Sequence, residues 1–119
     1  MRLNKLKILQ LLGLARRAGK VIYGEDLVLK NIKEKKIKIV FIANDASEKQ
    51  KDMFLKKCYF YQVETNTFFS TNELSHAIGV SMCKYLGVTD EGFFKALQKE
   101  LNGGAVNEGK GNFGNIEGS

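Results

Sequence analysis

The stretch Ile37-Lys38-Ile39-Val40-Phe41-Ile42-Ala43, residues 37–43, is apolar and largely β-branched, and only Lys38 interrupts it. A strand with one face in water would alternate polar and apolar residues, whereas this stretch is apolar on both faces. It therefore predicts a central strand that is covered by other elements on both sides.

Helical segments precede this strand. The sequence predicts one helix over Leu3–Ala18, which Asn4 caps and which Gly19 ends in a left-handed conformation. A short extended run at Val21–Tyr23 and a second helix over Glu25–Lys35 follow. The residues predicted to share the inner face of the first helix are Leu6, Leu9, Leu12 and Gly13.

Helices and strands also alternate after the central strand. Ser47 with Gln50 and Ser70 with Glu73 have the spacing of capping boxes. The predicted elements are a helix over 47–58 with Phe54 and Cys58 inward, a strand over Phe60–Glu64, a short helix that Gly79 ends, a strand over Met82–Val88, and a last helix from Thr89 or Asp90 with Phe93, Leu97 and Leu101 on one face. This alternation predicts an α/β fold with helices on both faces of one sheet.

The length of 119 residues suits one domain, which we place at residues 1–102. The composition changes after that point, since six of the last 17 residues are glycine. Such a segment carries too few apolar side chains to bury a core. We therefore expect residues 103–119 to be a flexible tail.

The net charge of +6 is unevenly distributed. Residues 1–60 carry 15 lysines and arginines against 6 acidic residues, while residues 61–119 carry 4 against 7. A basic half indicates one side that faces a polyanion, although a solvated lysine surface that serves solubility gives the same balance.

The cysteines and the N-terminus indicate the compartment. Cys58 and Cys83 form no CxxC pair, which favours free, buried thiols in a reducing environment. The first 20 residues lack the long apolar core of a signal peptide or a membrane span. We expect a cytoplasmic protein that has no membrane partner.

Three clusters are candidates for binding RNA phosphates or bases. Arg16, Arg17 and Lys20 either complement the end of the first helix or contact phosphates. Gly24 precedes the start of the second helix, and Lys30 lies one helical turn after it. Glu25 and Asp26, in the first turn, either form a plain acidic helix start or accept hydrogen bonds from base amino groups. The third cluster, Lys33, Lys35, Lys36 and Lys38, is typical of a solvated turn but would also extend a phosphate track.

No catalytic or metal-binding set is evident. His76 is the only histidine, so there is no second histidine for a zinc set. A lone histidine on a helix is usually a surface or packing residue. We therefore expect neither a catalytic residue, nor a metal, nor a cofactor.

Five segments in order resemble the YlxQ-type bacterial members of the kink-turn-binding ribosomal protein family, the seven-Ae and thirty-e type. They are Leu11-Leu12-Gly13-Leu14-Ala15-Arg16-Arg17-Ala18-Gly19-Lys20, Gly24-Glu25-Asp26-Leu27-Val28, Ala43-Asn44-Asp45-Ala46-Ser47, Glu73-Leu74 to Ile78-Gly79, and Val88-Thr89-Asp90-Glu91-Gly92-Phe93. The resemblance covers about residues 3–101. It implies a three-layer α/β/α sandwich around a mixed four-stranded sheet, and binding to kink-turns, which are sharply bent RNA duplexes.

The resemblance also implies where RNA binds. In the family, RNA meets the start of the second helix at a Gly-x-Asn-Glu-x-x-Lys pattern, which Gly24 and Lys30 match. Asp26 replaces the asparagine and Leu27 the glutamate, so an amide donor and a carboxylate are missing. The family's second contact, over the flipped-out bulge nucleotide, corresponds to Gly79, Val80, Ser81 and Met82.

The leading hypothesis is a non-catalytic, monomeric protein that recognises a kink-turn in ribosomal RNA or in a leader RNA and associates with the ribosome. The alternative is a protein–protein adaptor in ribosome assembly or translation with a weakened RNA site. An enzyme such as a methyltransferase ranks third, because the 119 residues leave no segment for a cofactor.

Overall fold

The computed structural model describes residues 4–102, in which helices and strands alternate. The elements are α1 Lys5–Arg17, β1 Val21–Tyr23, α2 Glu25–Lys33, β2 Ile39–Ile42, α3 Glu48–Tyr61, β3 Glu64–Asn66, α4 Thr71–Ile78, β4 Tyr85–Val88 and α5 Glu91–Leu101. The predicted tail, 103–119, lies outside the described residues.

The four strands of residues 4–102 form one mixed sheet in the order β1-β4-β2-β3. β2 runs parallel to β3, while β4 runs antiparallel to both β1 and β2. On one side of the sheet α2 packs against α3, and on the other α1 packs against α4 and α5. The α/β fold with a central mixed four-stranded sheet between helical layers is therefore confirmed.

The core lies along the two central strands. All four residues of β2 are buried, as the continuous apolar run at 37–43 predicted, and all four residues of β4 are buried as well. Phe54 stacks on Tyr85 with ring centroids 4.1 Å apart. Gly87 lies under Ile37, where a β-carbon would come within 2.6 Å of the Ile37 side chain, so a larger residue here would require the Ile37 side chain to shift.

Most predicted helix ends are confirmed. The Asn4 side chain accepts a hydrogen bond from the N–H of Lys7, and Gly19 is left-handed with φ +73°. Ser70 and Glu73 form a complete capping box, and Gly79 ends α4 in the left-handed conformation. The last helix begins after Asp90, whose carboxylate caps it. Phe54 and Cys58 are buried, as predicted.

The predicted box of Ser47 and Gln50 is only half formed. The Ser47 hydroxyl oxygen accepts a hydrogen bond from the N–H of Gln50 over 3.2 Å. The return bond is not made, because the Gln50 Oε1 atom is buried without a hydrogen-bond partner within residues 4–102.

The predicted strand over Phe60–Glu64 is wrong. Phe60 and Tyr61 continue α3, which ends where Gln62 adopts a left-handed φ of +59°. The strand itself spans Glu64–Asn66 and has no buried residue, so it lacks the alternation that identifies a strand. α2 also ends earlier than predicted, at Lys33.

The predicted inner face of α1 is only partly right. Leu12 is buried and Leu9 packs against the core, as predicted, but Leu6 is 67% exposed, and the other buried residues are Ile8 and Ala15. α1 lies against α4 and α5 as well as the sheet, so its apolar residues are spread over more than one face. None of the helices within residues 4–102 combines the length and the apolar character that crossing a membrane requires.

Candidate nucleic-acid interface

Two strands end and a third begins at one edge of the sheet. Ile42, the last residue of β2, pairs with Tyr85, the first residue of β4. Gly24, which follows β1, donates its N–H to the carbonyl oxygen of the same Tyr85 over 3.0 Å. We call this end of the sheet, where the strands start or stop, the Gly24 edge. The segments that emerge from it are residues 24–27, 43–47 and 79–84.

Gly24 adopts a backbone conformation that side chains rarely allow, with φ +99° and ψ 149°. No atom lies within 4 Å of the place where a β-carbon would stand, so the space before it is open. The backbone alone therefore requires glycine here, and a ligand has access to it.

The first turn of α2 presents both donors and acceptors. Gly24 has no side chain with which to cap the free N–H groups of this turn. Glu25 and Asp26 are exposed in the same turn, and Lys30 is exposed one turn further along. None of these three side chains forms an ion pair within residues 4–102. All three are therefore available to a partner.

Ser75 positions the segment between α4 and β4. This buried residue donates its hydroxyl hydrogen to the carbonyl oxygen of Thr71 over 2.6 Å and accepts a bond from the N–H of Cys83 over 2.7 Å. Its carbonyl oxygen accepts the N–H of Val80. The predicted contact residues Gly79, Val80 and Ser81 lie within this segment. Sequence analysis missed Ser75, whose only signal is a polar residue beside the apolar face of a short helix.

Asp45 ties the segment after β2 to the start of α4. Its carboxylate accepts hydrogen bonds from the N–H of Thr71 over 3.0 Å and from the Thr71 hydroxyl over 2.6 Å. These bonds lower the pKa of Asp45 below its usual value, with the hydroxyl bond as the largest cause. Because Ser75 bonds to both Thr71 and Cys83, the segments 43–47 and 79–84 are linked through Thr71.

The predicted basic residues separate in the structure. Arg16 lies over the ring of Tyr23 at 5.2 Å from the centroid, next to Gly24. Arg17 lines a groove of about 700 Å³ between α1 and α4, which the exposed His76 also lines. The two arginines therefore face different parts of the surface.

Lys20 lies at the opposite edge of the sheet. Its carbonyl oxygen accepts the N–H of Thr89 over 3.0 Å, and Thr89 follows the last residue of β4. Three residues, those of β1, lie between Lys20 and Gly24, so the two are four steps apart along an extended chain, or about 13 Å. We call this the Lys20 edge. The structure does not bring Lys20 into the cluster around Gly24.

Neither thiol is part of the surface. Cys58 and Cys83 are free and buried, as predicted. Burial raises the pKa of Cys58 to about 11 and, as the largest cause, that of Cys83 to about 12. Both are uncharged and poor nucleophiles at neutral pH. No cluster of three or more candidate metal ligands occurs between residues 4 and 102.

The chain is similar to known proteins over most of its length. The model of the "Ribosomal protein L7Ae/L30e/S12e/Gadd45 family" matches residues 6–98. A protein of Enterococcus faecium called "RNA-binding protein YlxQ" is 42% identical over 100 residues, which cover 84% of this chain and 96% of the relative. A Bacillus subtilis protein with the same name is 40% identical over 87 residues, or 73% of this chain and 87% of the relative.

Solved structures show the same fold. A Bacillus halodurans C protein of unknown function superimposes with a TM-score of 0.77 at 33% identity, over 81% of this chain and 97% of that one. The Giardia lamblia 15.5kD RNA binding protein superimposes with a TM-score of 0.70 at 20% identity, over 84% and 88% of the two chains. The sequence matches and the shared fold lead to one conclusion: the chain belongs to the ribosomal protein L7Ae/L30e/S12e/Gadd45 family.

Proposed function

We propose that this protein binds structured RNA at the Gly24 edge and that the RNA is a kink-turn. Two relatives that match most of the chain are called RNA-binding proteins. The observation that carries the proposal is the junction at Gly24, where a glycine-only backbone conformation leaves open space before the uncapped first turn of α2.

The residues at this junction divide the work by their chemistry. Glu25 and Asp26 accept hydrogen bonds from base amino groups at the sheared G·A pairs. Lys30 and Arg16 contact phosphates, which crowd together where the duplex bends. The segment that contains Gly79, Val80 and Ser81 makes the second contact, over the bulge nucleotide. Arg17 and Lys20 contact phosphates further along the duplex, since they lie away from Gly24.

The mechanism is selection of a shape. A free kink-turn exchanges between an extended and a bent form, and a protein that binds only the bent form shifts the population towards it. No covalent chemistry is involved, and the protein acts as a non-catalytic monomer. Its RNA is a ribosomal or leader RNA in the cytoplasm, which links the protein to the ribosome.

A calorimetric titration with a kink-turn duplex and with a straight duplex of equal length, at one salt concentration, tests this proposal. We expect the kink-turn to bind at least tenfold more tightly, since a difference of about 1.4 kcal/mol already gives that factor. Equal affinity for the two duplexes would reduce the proposal to unspecific phosphate binding.

An adaptor in ribosome assembly or translation is the second candidate. Leu27 is 55% exposed and Met82 is 63% exposed, and both lie in segments that emerge from the Gly24 edge. Exposed apolar residues are typical of protein interfaces. This function gains support if the titration shows no RNA binding while Leu27→Ser removes the association of the protein with ribosomal particles.

A further inference from the structure

Two aromatic side chains at the end of α3 are almost fully exposed. Tyr59 is 86% exposed and Phe60 is 75% exposed. Phe60 is held edge-on against Tyr61, with ring centroids 4.9 Å apart. Exposed aromatic residues of this size are costly in water unless they meet a partner.

These rings lie far from the Gly24 edge. α3 begins just after β2 ends at that edge and spans 14 residues, or about 20 Å. It ends next to β3, whose first residue, Glu64, pairs with Ile39 at the start of β2. Because Ile39 also pairs with Val88, the rings stand at the Lys20 edge, at the far end of the sheet.

Phe60 separates two hollows with different linings. On one side Lys56 and Lys57 line a hollow of about 380 Å³ together with Tyr61. On the other side the amides of Gln62 and Gln98 line a wider hollow of about 930 Å³, which Tyr59 and Glu64 also border, and the Gln98 amide donates a hydrogen bond to the Glu64 carboxylate over 3.0 Å. One side thus offers cations, and the other offers hydrogen-bond donors and acceptors.

The surroundings of the rings are basic on the side that faces α2. α2 packs against α3 and ends at the same edge, where Lys33 and Lys35 are exposed. Neither of these lysines nor Lys57 has a carboxylate within 4 Å in the part of the chain that the structure describes. Lys56 pairs with Asp52, but both side chains are exposed and such a pair is weak.

We propose that the end of α3 is a second RNA-binding surface, which takes unpaired nucleotides. Bases stack on the rings of Tyr59 and Phe60, the amides of Gln62 and Gln98 reach base edges, and Lys57 with its lysine neighbours binds the phosphates. Aromatic platforms beside a basic groove are how proteins hold single strands. Aromatic residues are enriched at protein–protein interfaces but lysine is depleted there, so it is the lysines around the rings that favour RNA over a protein partner.

This inference goes beyond the proposed function, because the RNA is unpaired and the surface is at the other end of the molecule. It does not require a kink-turn. A protein that carries both surfaces would hold a bent duplex at one end and a single-stranded segment at the other.

The test is fluorescence anisotropy of the full chain with a labelled uridine oligonucleotide of about ten residues, which suits a site of this kind. We expect the unmodified protein to bind it weakly and in a salt-dependent manner. The affinity should fall on the order of tenfold for each ring removed, as measured with Tyr59→Ala, Phe60→Ala and the double variant. Lys57→Ala should lower the slope of affinity against salt by about 0.7. Lys7→Ala, an exposed lysine on α1, is the matched control and should change nothing.

A leucine variant distinguishes stacking from apolar docking. Tyr59→Leu with Phe60→Leu keeps an apolar surface but removes the aromatic faces, so we expect the oligonucleotide to be lost as in the alanine pair. Unchanged binding by either double variant would overturn the proposal, and so would an unmodified protein that ignores the oligonucleotide. Self-association of the unmodified protein that the alanine pair abolishes would also overturn it, in favour of a protein interface.

The proposal of kink-turn binding and the proposal of a second surface are tested independently. The alanine pair should bind a blunt kink-turn duplex as the unmodified protein does, and Lys30→Ala should bind the oligonucleotide as the unmodified protein does. Loss of both ligands in both variants, with the fold intact by circular dichroism, would overturn the assignment of a separate second surface.

Discussion

The hydroxyl oxygen of Ser75 accepts a hydrogen bond from the N–H of Cys83 over 2.7 Å, and both residues are buried. This bond joins α4 to the segment that leads into β4, across eight residues of sequence. The bond thereby holds the segment with Gly79, Val80 and Ser81, the second candidate RNA contact, near Gly24.

Ser75→Ala should therefore destabilise the protein and weaken RNA binding. The change leaves the buried N–H of Cys83 without a partner, which costs about 1–3 kcal/mol. Urea unfolding and kink-turn titration measure the two effects. Ser81→Ala is the control, since Ser81 is exposed in the same segment and its loss should change stability by less than about 0.5 kcal/mol. An equal loss of unfolding free energy in both variants would contradict the role of Ser75.

Gly24→Val should abolish kink-turn binding while the protein still folds. The backbone at Gly24 has φ +99°, so a side chain strains it by about 1–3 kcal/mol and also enters the open space where RNA docks. Gly19→Val is the matched control, because Gly19 has φ +73° and is equally open. Both variants should lose stability, measured by thermal melting, but only Gly24→Val should lose RNA. Retained binding by a folded Gly24→Val protein would place the RNA elsewhere.

The positions of the lysines predict different salt dependences. Lys30→Ala should lower the slope of kink-turn affinity against salt by about one unit, because one phosphate contact is lost. Lys20→Ala should lower it less, since Lys20 lies at the opposite edge of the sheet, where it contacts phosphates that the bend does not crowd together. Titrations at several salt concentrations measure the slopes, with Lys7→Ala as the reference. A larger effect at Lys20 than at Lys30 would mean that the bend of the RNA lies at the Lys20 edge and not at the Gly24 edge.

The central strand and the helix caps could be predicted because their signals are local. The apolar run at 37–43 and the box of Ser70 and Glu73 both lie within a few residues. The junction at Gly24 could be located for the same reason, since a glycine before an acidic helix start is visible in the sequence.

The errors arose where distant contacts decide the structure. Phe60 favours a strand by its type, yet it continues α3 because β3 forms only from Glu64 onward. The place of Lys20 depends on the register of β1 against β4, which no local pattern encodes. Ser75 likewise acquires its role only when Cys83 folds back against it.

The buried thiols predict a pH dependence of stability. The pKa of Cys58 and of Cys83 lies above the ordinary value of 9.0, at about 11 and about 12 in the folded protein. The unfolded chain therefore loses these protons first, and the stability that the neutral thiols give below pH 9 is lost as the pH rises through the folded pKa.

Cys58→Ala with Cys83→Ala should be less stable than the unmodified protein at neutral pH, because two buried side chains become smaller. The difference in unfolding free energy should narrow between about pH 8 and about pH 10, and RNA binding at neutral pH should persist. Urea unfolding at both pH values checks this. A constant difference would mean that the thiols are not shielded from water.

The most direct test of the account is resonance energy transfer between dyes on the two arms of a kink-turn, under conditions in which the free RNA is mostly extended. Selection of the bent form predicts that the unmodified protein raises the transfer efficiency to a plateau and that folded Gly24→Val leaves it unchanged. Binding without any change in transfer, or an equal change with both proteins, would contradict kink-turn recognition at Gly24.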